Sequence, residues 1–470
     1  MGNGKWEMSS KCETHFPFPI LHFRSLCPSR TRHGTKRPLA SAAMGHAYDS
    51  IPELAGVATY ETAARVGYSV GDNVQRLIRY HWTERRIMAS LIAHLPAMPI
   101  WEVKCAMALH QWHCAEHVEA LRTRITEMRS PPPNLDVMPD QASIEGVDQV
   151  LDSIATAAEP HKVINAIYGV VFPALAGAYR THIAKTNPLV DHPTLRVLRC
   201  ALAEIEEAVT WGKATLAVVN KAESAVPAEE HPFHPRRDER FQGQYNFEFP
   251  PHVVYNMPDV PADERNLALL SKRALEMDVP EMMASFMSER TDQPWEFYRD
   301  YSRQLWDEAR HAMMGTVAFE SKGIDWKREI PLNVSFALRL NLHATPLERQ
   351  TMLYAIEQSL MPGETGKRFE YETAMAAADE LSAHFHDYDW ADEVLHAQIG
   401  RRALKRDNIT PQEASERARD IHEKTWAALD LYRARGTQVN WWPAFVHKHL
   451  GRESAIEGKS DLGPINVFSE

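Results

Sequence analysis

The chain has 470 residues, 44% of them apolar and 24% charged, which is enough for two or three domains with buried cores and excludes disorder as its main state. Fifty-two Lys and Arg against 63 Asp and Glu leave a net charge of −11, which argues against nucleic acid or an anionic membrane as the principal partner. No uninterrupted apolar run reaches the roughly 18 residues of a spanning helix, and the five cysteines form no CxxC pair. Neither a disulfide framework nor a thiolate metal site is expected; the expectation is a soluble, cytoplasmic protein.

Residues 1–43 carry seven Lys and Arg against two Glu and show no helical period. They read as a disordered basic leader, since the apolar stretch 16–23 is short and broken by two prolines, unlike a secretory signal. From Ser69 onward apolar residues recur at spacings of three and four, which predicts helices over 76–94, 100–128, 161–185 and 193–219. These make up a first domain, 44–222. Residues 223–262 are rich in proline and lack a period, so they read as a linker whose aromatics pack along a surface. A second domain, 263–450, is predicted to hold helices over 263–290, 295–322, 346–360 with a continuation to 384, 387–407 and 411–435. The chain is read as irregular after Trp441, with a tail over 451–470.

The two helical sets look like copies. Met88-Ala89-Ser90-Leu91 ahead of Pro99 and Trp101 resembles Met283-Ala284-Ser285-Phe286 ahead of Pro294 and Trp295. The run from Glu206-Glu207 to Gly212 resembles that from Asp392-Glu393 to Gly400. The expected fold class is all-α, two four-helix bundles in tandem.

The second set carries the chemical signal. Asp307-Glu308-Ala309-Arg310-His311 and Asp392-Glu393-Val394-Leu395-His396 contain the only two E-x-x-H matches in the chain, and both have Asp immediately before the Glu. Glu and His three residues apart on a helix share a face and can reach one metal ion. A metal-bound imidazole needs its other N–H held by an acceptor; Asp307 is expected to serve His396 across the bundle, and Asp392 to serve His311.

These paired motifs resemble those of the ferritin-like dimetal carboxylate superfamily, over roughly residues 263–407, with an uncharacterised bacterial branch as the nearest pattern. The resemblance implies one further Glu from each of two other helices. For the first helix Glu281 is preferred, 27 residues before Glu308, with Glu276 as the alternative. For the third helix Glu357 is preferred, with Glu364 and Glu370 as alternatives. The metal set is therefore Glu281, Glu308, His311, Glu357, Glu393 and His396, with His386 and Asp389 on the face of the last motif.

Such a donor set is oxygen-rich and suits iron or manganese. The resemblance implies two Fe ions, with Mn/Fe or Mn2 as variants, O2 as co-substrate, a small-molecule substrate and an external reductase or ferredoxin. It implies an oxidase or oxygenase; a ferroxidase or iron-handling protein and a non-catalytic helical scaffold are the alternatives, and a homodimer is the candidate assembly. In the first set Glu84 and Glu116 keep the 32-residue spacing, but Glu119 stands where a His is required and Thr210 follows Glu207. The third-helix position there falls on Tyr168 or Val171, so this copy is expected to be degenerate. His110, His113 and His117 lie on its second helix and are expected to form a buried polar network.

Overall fold

A computed structural model describes residues 47–129, 131–137, 144, 146–157, 159–220, 231–242, 254–361, 366–428 and 440–457. Residues 47–52 fall in a unit separate from the rest and contain a 3-10 turn, Ala47–Ser50. The expected leader lies outside the described residues. From Glu53 onward the described residues form one unit with a single continuous main core, and they contain helices and no β-strand.

The first helical set comprises α1 (Val70–His94), α2 (Trp101–Met128), the short α3 (Val147–Ile154), α4 (Pro160–Lys185) and α5 (His192–Val219). Ser69 caps α1 by accepting from the Asp72 amide, and Pro160 and Pro193 stand in first turns, where a missing N–H costs nothing. Helix α4 is long and apolar enough to cross a membrane by length and composition, yet half of that window is buried in the core, through residues such as Ile167, Val171 and Leu175. Its middle, Asn165–Val171, is π-helical.

The second set comprises α6 (Ala262–Leu275), α7 (Asp278–Glu289), α8 (Trp295–Ser321), α9 (Ser335–His343), α10 (Pro346–Ser359), α11 (Lys367–Ala376), α12 (Glu380–Arg406), α13 (Pro411–Ala427) and α14 (Trp442–Leu450). Two predicted boundaries move. The helix expected over 263–290 breaks at Glu276 and Met277, because Pro280 cannot donate to the Glu276 carbonyl and its ring crowds that turn. The boundary expected near 384–387 falls at Ala377–Asp379, where Ala378 takes a left-handed φ of 55° and the Asp379 side chain caps α12. The region after Trp441, expected to be irregular, holds α14, whose buried Trp442 donates its indole N–H to Glu264 at 3.1 Å.

Helices α6, α8, α10, α11 and α12 surround one buried polar centre. Gly315 on α8 sets the approach of α6: a Cβ there would stand 2.6 Å from the Ala274 amide nitrogen and 2.9 Å from the Arg273 carbonyl carbon. The two sets meet chiefly along α2 and α8, where Gln111 donates to the Ser302 carbonyl at 2.8 Å and the Trp295 indole donates to Glu119 at 2.7 Å. Of the predicted linker, Phe241 packs between Trp101 and Trp326, while Tyr245, Phe247 and Phe249 lie outside the described residues.

Candidate metal centre

Helix α12 presents a stripe of buried polar residues, His386, Asp389, Glu393 and His396, at spacings of three, four and three. That is one helical face. Helix α8 faces it with Asp307, Glu308 and His311, all at most 3% exposed, and α10 adds Glu357 at 2%. One atom each from Glu308, Glu357, Glu393 and His396 can be chosen so that all lie within 4.8 Å of one another. His396 Nδ1 stands 3.1 Å from Glu308 Oε1 and 3.3 Å from Glu393 Oε2.

His396 Nδ1, Glu308 Oε1, Glu357 Oε2 and Glu393 Oε2 are buried without a well-directed hydrogen bond, and so is His311 Nδ1. Buried polar atoms are nearly always satisfied, and carboxylates gathered this tightly away from water need a cation or protons between them. Three carboxylates and an imidazole gathered this closely could hold a divalent metal ion.

The outward nitrogens are held as the sequence suggested. His396 Nε2 lies 3.4 Å from Asp307 Oδ2 on α8, and His311 Nε2 lies 3.1 Å from Asp392 Oδ2 on α12. Arg310 joins the two aspartates at 2.6 Å each, and Arg303 lies 2.8 Å from Asp307. Burial alone lowers a histidine pKa, but the carboxylates around His311 and His396 hold both well above the usual range. Glu357 is raised well above its usual value, by burial and then by Glu393 and Glu308; its partner Gln304 donates to Oε1 at 2.9 Å.

The first-helix expectation is corrected. Glu281 is fully buried, but it faces Lys104 on α2 and Arg237 of the linker and takes no part in the cluster. Five residues rotate a helix position by about 140°, and Pro280 displaces the preceding turn. Glu276, at that break, is grouped with His311 and Asp389. Of the third-helix alternatives, Glu364 lies outside the described residues and Glu370 groups with His386 and Asp389.

Sequence reasoning missed the cations. Arg273 Nη1 lies 2.6 Å from Asp389 Oδ1 and 3.0 Å from Glu276 Oε2, and its Nη2 lies 2.6 Å from Glu370. Lys367 Nζ lies 2.8 Å from both Asp389 Oδ2 and Glu393 Oε1. Arg273 stands three residues before Glu276 and so could have been suspected, whereas Lys367 has no motif around it. Among the aromatics near the motifs, Tyr354 is buried against Gly400, Trp306 stacks on Trp112 and Tyr388 is exposed.

The first helical set holds a related but altered cluster. Trp101 and Trp295 each open a helix; thirteen and sixteen residues on stand Cys114 and His117 in α2, and Glu308 and His311 in α8. A Cβ on Gly212 would press on Tyr168, as one on Gly400 would on Tyr354. Seven residues before these glycines stand Ile205 and Glu393, and eight before them Glu204 and Asp392. His117 Nε2 meets Glu204 at 2.8 Å, as His311 meets Asp392, while its Nδ1 meets Glu84 at 2.8 Å. Glu116 is exposed and Glu119 faces α8, so the interior position belongs to His117.

No family model, no curated protein and no solved structure matches this chain.

Proposed function

We propose that this chain is a non-haem O2-activating oxidoreductase of the ferritin-like dimetal carboxylate class, built as two four-helix bundles in tandem with a degenerate N-terminal copy. The observation that carries the reading is the buried convergence of Glu308, Glu357, Glu393 and His396, four groups whose inward atoms crowd one another without a well-directed hydrogen bond. The parallel placement of His117 with Glu204 and of His311 with Asp392 supports the duplication. In the first copy Cys114 and Ile205 occupy the positions of Glu308 and Glu393, and Glu84 covers the imidazole nitrogen that would face a metal.

Glu308, Glu357, Glu393 and His396 would hold a redox-active divalent metal, which when bound would supply the electrons for O2 reduction, with an external reductase as their source. The protein's own residues prepare the centre. Asp307 accepts a hydrogen bond from the Nε2–H of His396, so that Nδ1 is the nitrogen that would be offered to a metal, and Asp392 is placed to do the same for His311. Arg303 and Arg310 neutralise those aspartates, so that they orient the histidines without adding uncompensated charge. Gln304 fixes one oxygen of Glu357 and leaves the other turned inward. Burial of the whole set excludes bulk water, as an oxidising centre requires.

The test is O2 consumption by protein purified anaerobically, loaded with Fe(II) and supplied with a chemical reductant. Uptake that depends on both the metal and Glu308 is expected. Its absence in metal-loaded protein would sink the oxidase reading.

A further inference from the structure

The buried centre has two halves that are chemically unlike. Around Glu308, Glu357, Glu393 and His396 the inward atoms Glu308 Oε1, Glu357 Oε2, Glu393 Oε2 and His396 Nδ1 have no well-directed donor, and no lysine or arginine bonds to them. Around Glu276, His311 and Asp389, where His311 Nδ1 and Asp389 Oδ2 likewise lack a well-directed hydrogen bond, two cations are already in place: Arg273 lies against Glu276 and Asp389, and Lys367 stands 2.8 Å from both Asp389 Oδ2 and Glu393 Oε1. Both cations are buried, at 2% and 1% side-chain exposure. A buried ammonium between two carboxylates contributes its charge where a second metal ion would otherwise contribute its own.

Resting on the metal-centre reading above, we infer that the protein holds a single divalent ion per chain, ligated by Glu308, Glu357, Glu393 and His396, with the Lys367 ammonium occupying the second cation position. The geometry is specific. Lys367 opens α11, its amide donates to the carbonyl of Leu360, the residue that ends α10, at 3.1 Å, and its side chain reaches Asp389 and Glu393 of α12. Arg273 reinforces the substitution from α6, where Gly315 permits the close approach. A second ion at Glu276, His311 and Asp389 has to displace Lys367 from Glu393 and bring two more charges beside a guanidinium. Coulomb repulsion at such separations in a buried site is large compared with thermal energy.

Mn(II) is a suitable probe, because isolated and exchange-coupled ions give different electron paramagnetic resonance spectra. Chelator-stripped full-length protein is equilibrated anaerobically with Mn(II), freed of unbound metal, and read by elemental analysis and by resonance. The wild type is expected to hold one Mn(II) per chain with the six-line signal of an isolated ion. Lys367→Met, which keeps length and volume, is expected to hold two, with the isolated signal replaced by that of a coupled pair. Lys367→Arg, which keeps the cation, is expected to remain at one. Two ions in the wild type overturn the inference and leave the metal-centre reading intact, as does one ion in a folded Lys367→Met variant. No ion in the wild type overturns both. Should Lys367→Met fail to fold, the wild-type and Lys367→Arg stoichiometries still decide.

Discussion

Asp307 sits beside Glu308 in sequence, yet its carboxylate serves the histidine of the other motif: Oδ2 lies 3.4 Å from His396 Nε2 on α12. The reciprocal contact, Asp392 to His311 at 3.1 Å, closes a crossed pair. An acceptor behind a ligating imidazole fixes its tautomer and raises its basicity. Asp307→Asn should therefore keep the fold and weaken metal binding by roughly 10- to 100-fold. Competition with a chelator of known affinity measures this, and an unchanged affinity would remove Asp307 from the site.

Glu357 and Glu281, both candidates by sequence, should now separate cleanly. Glu357→Ala removes one of four converging groups and should abolish stoichiometric metal binding. Glu281→Gln should leave metal content unchanged but strand Lys104 and Arg237 in the interior, at a cost of about 3–5 kcal/mol. Chemical denaturation together with elemental analysis of both variants reads the two outcomes.

Gly315 is the close-approach glycine of the centre. Its missing Cβ would meet backbone atoms of Arg273 and Ala274, which cannot rotate away. Gly315→Ala should destabilise the protein by roughly 1–3 kcal/mol through overpacking and should push α6 away from α8. Gly323, whose Cβ would meet nothing within 4 Å but whose φ is +71°, provides a contrast. Its alanine variant should show backbone strain without loss of metal.

The altered first cluster predicts a pH dependence. Burial alone would lower the His117 pKa, but Glu84 and Glu204 overcome this and raise it from 6.5 to about 9. A folded-state pKa above the unfolded value contributes stability that is fully present below about 6.5 and disappears as pH rises through about 9. The contribution is on the order of 3 kcal/mol. The stability difference between wild type and His117→Gln should shrink across that window when unfolding is followed by urea titration. A difference that stays constant would show that His117 does not titrate there.

Much of the helical content was legible because the core stripes recur at helical spacing, and the two D-E-x-x-H motifs marked their helices directly. The crossed Asp–His pairing was also legible, since it follows from the chemistry of a ligating imidazole. What escaped was phase across interruptions. The preference for Glu281 went with a helix running unbroken over 263–290, whereas Pro280 breaks it and leaves Glu276 at the centre. In the first set, the Glu84–Glu116 spacing imitated the motif, although the interior face carries Cys114 and His117. Lys367 was invisible because its significance lies in long-range ion pairs, which no local pattern encodes, and Arg273 was marked only by its three-residue spacing from Glu276.

The most direct test of the account is the metal content of the chain purified anaerobically from cells supplied with iron and manganese, alongside Glu308→Ala. Iron or manganese at stoichiometric level in the wild type, lost in the variant, is the predicted result. Wild-type protein that is folded, contains neither metal and does not take up Fe(II) or Mn(II) on titration would contradict it.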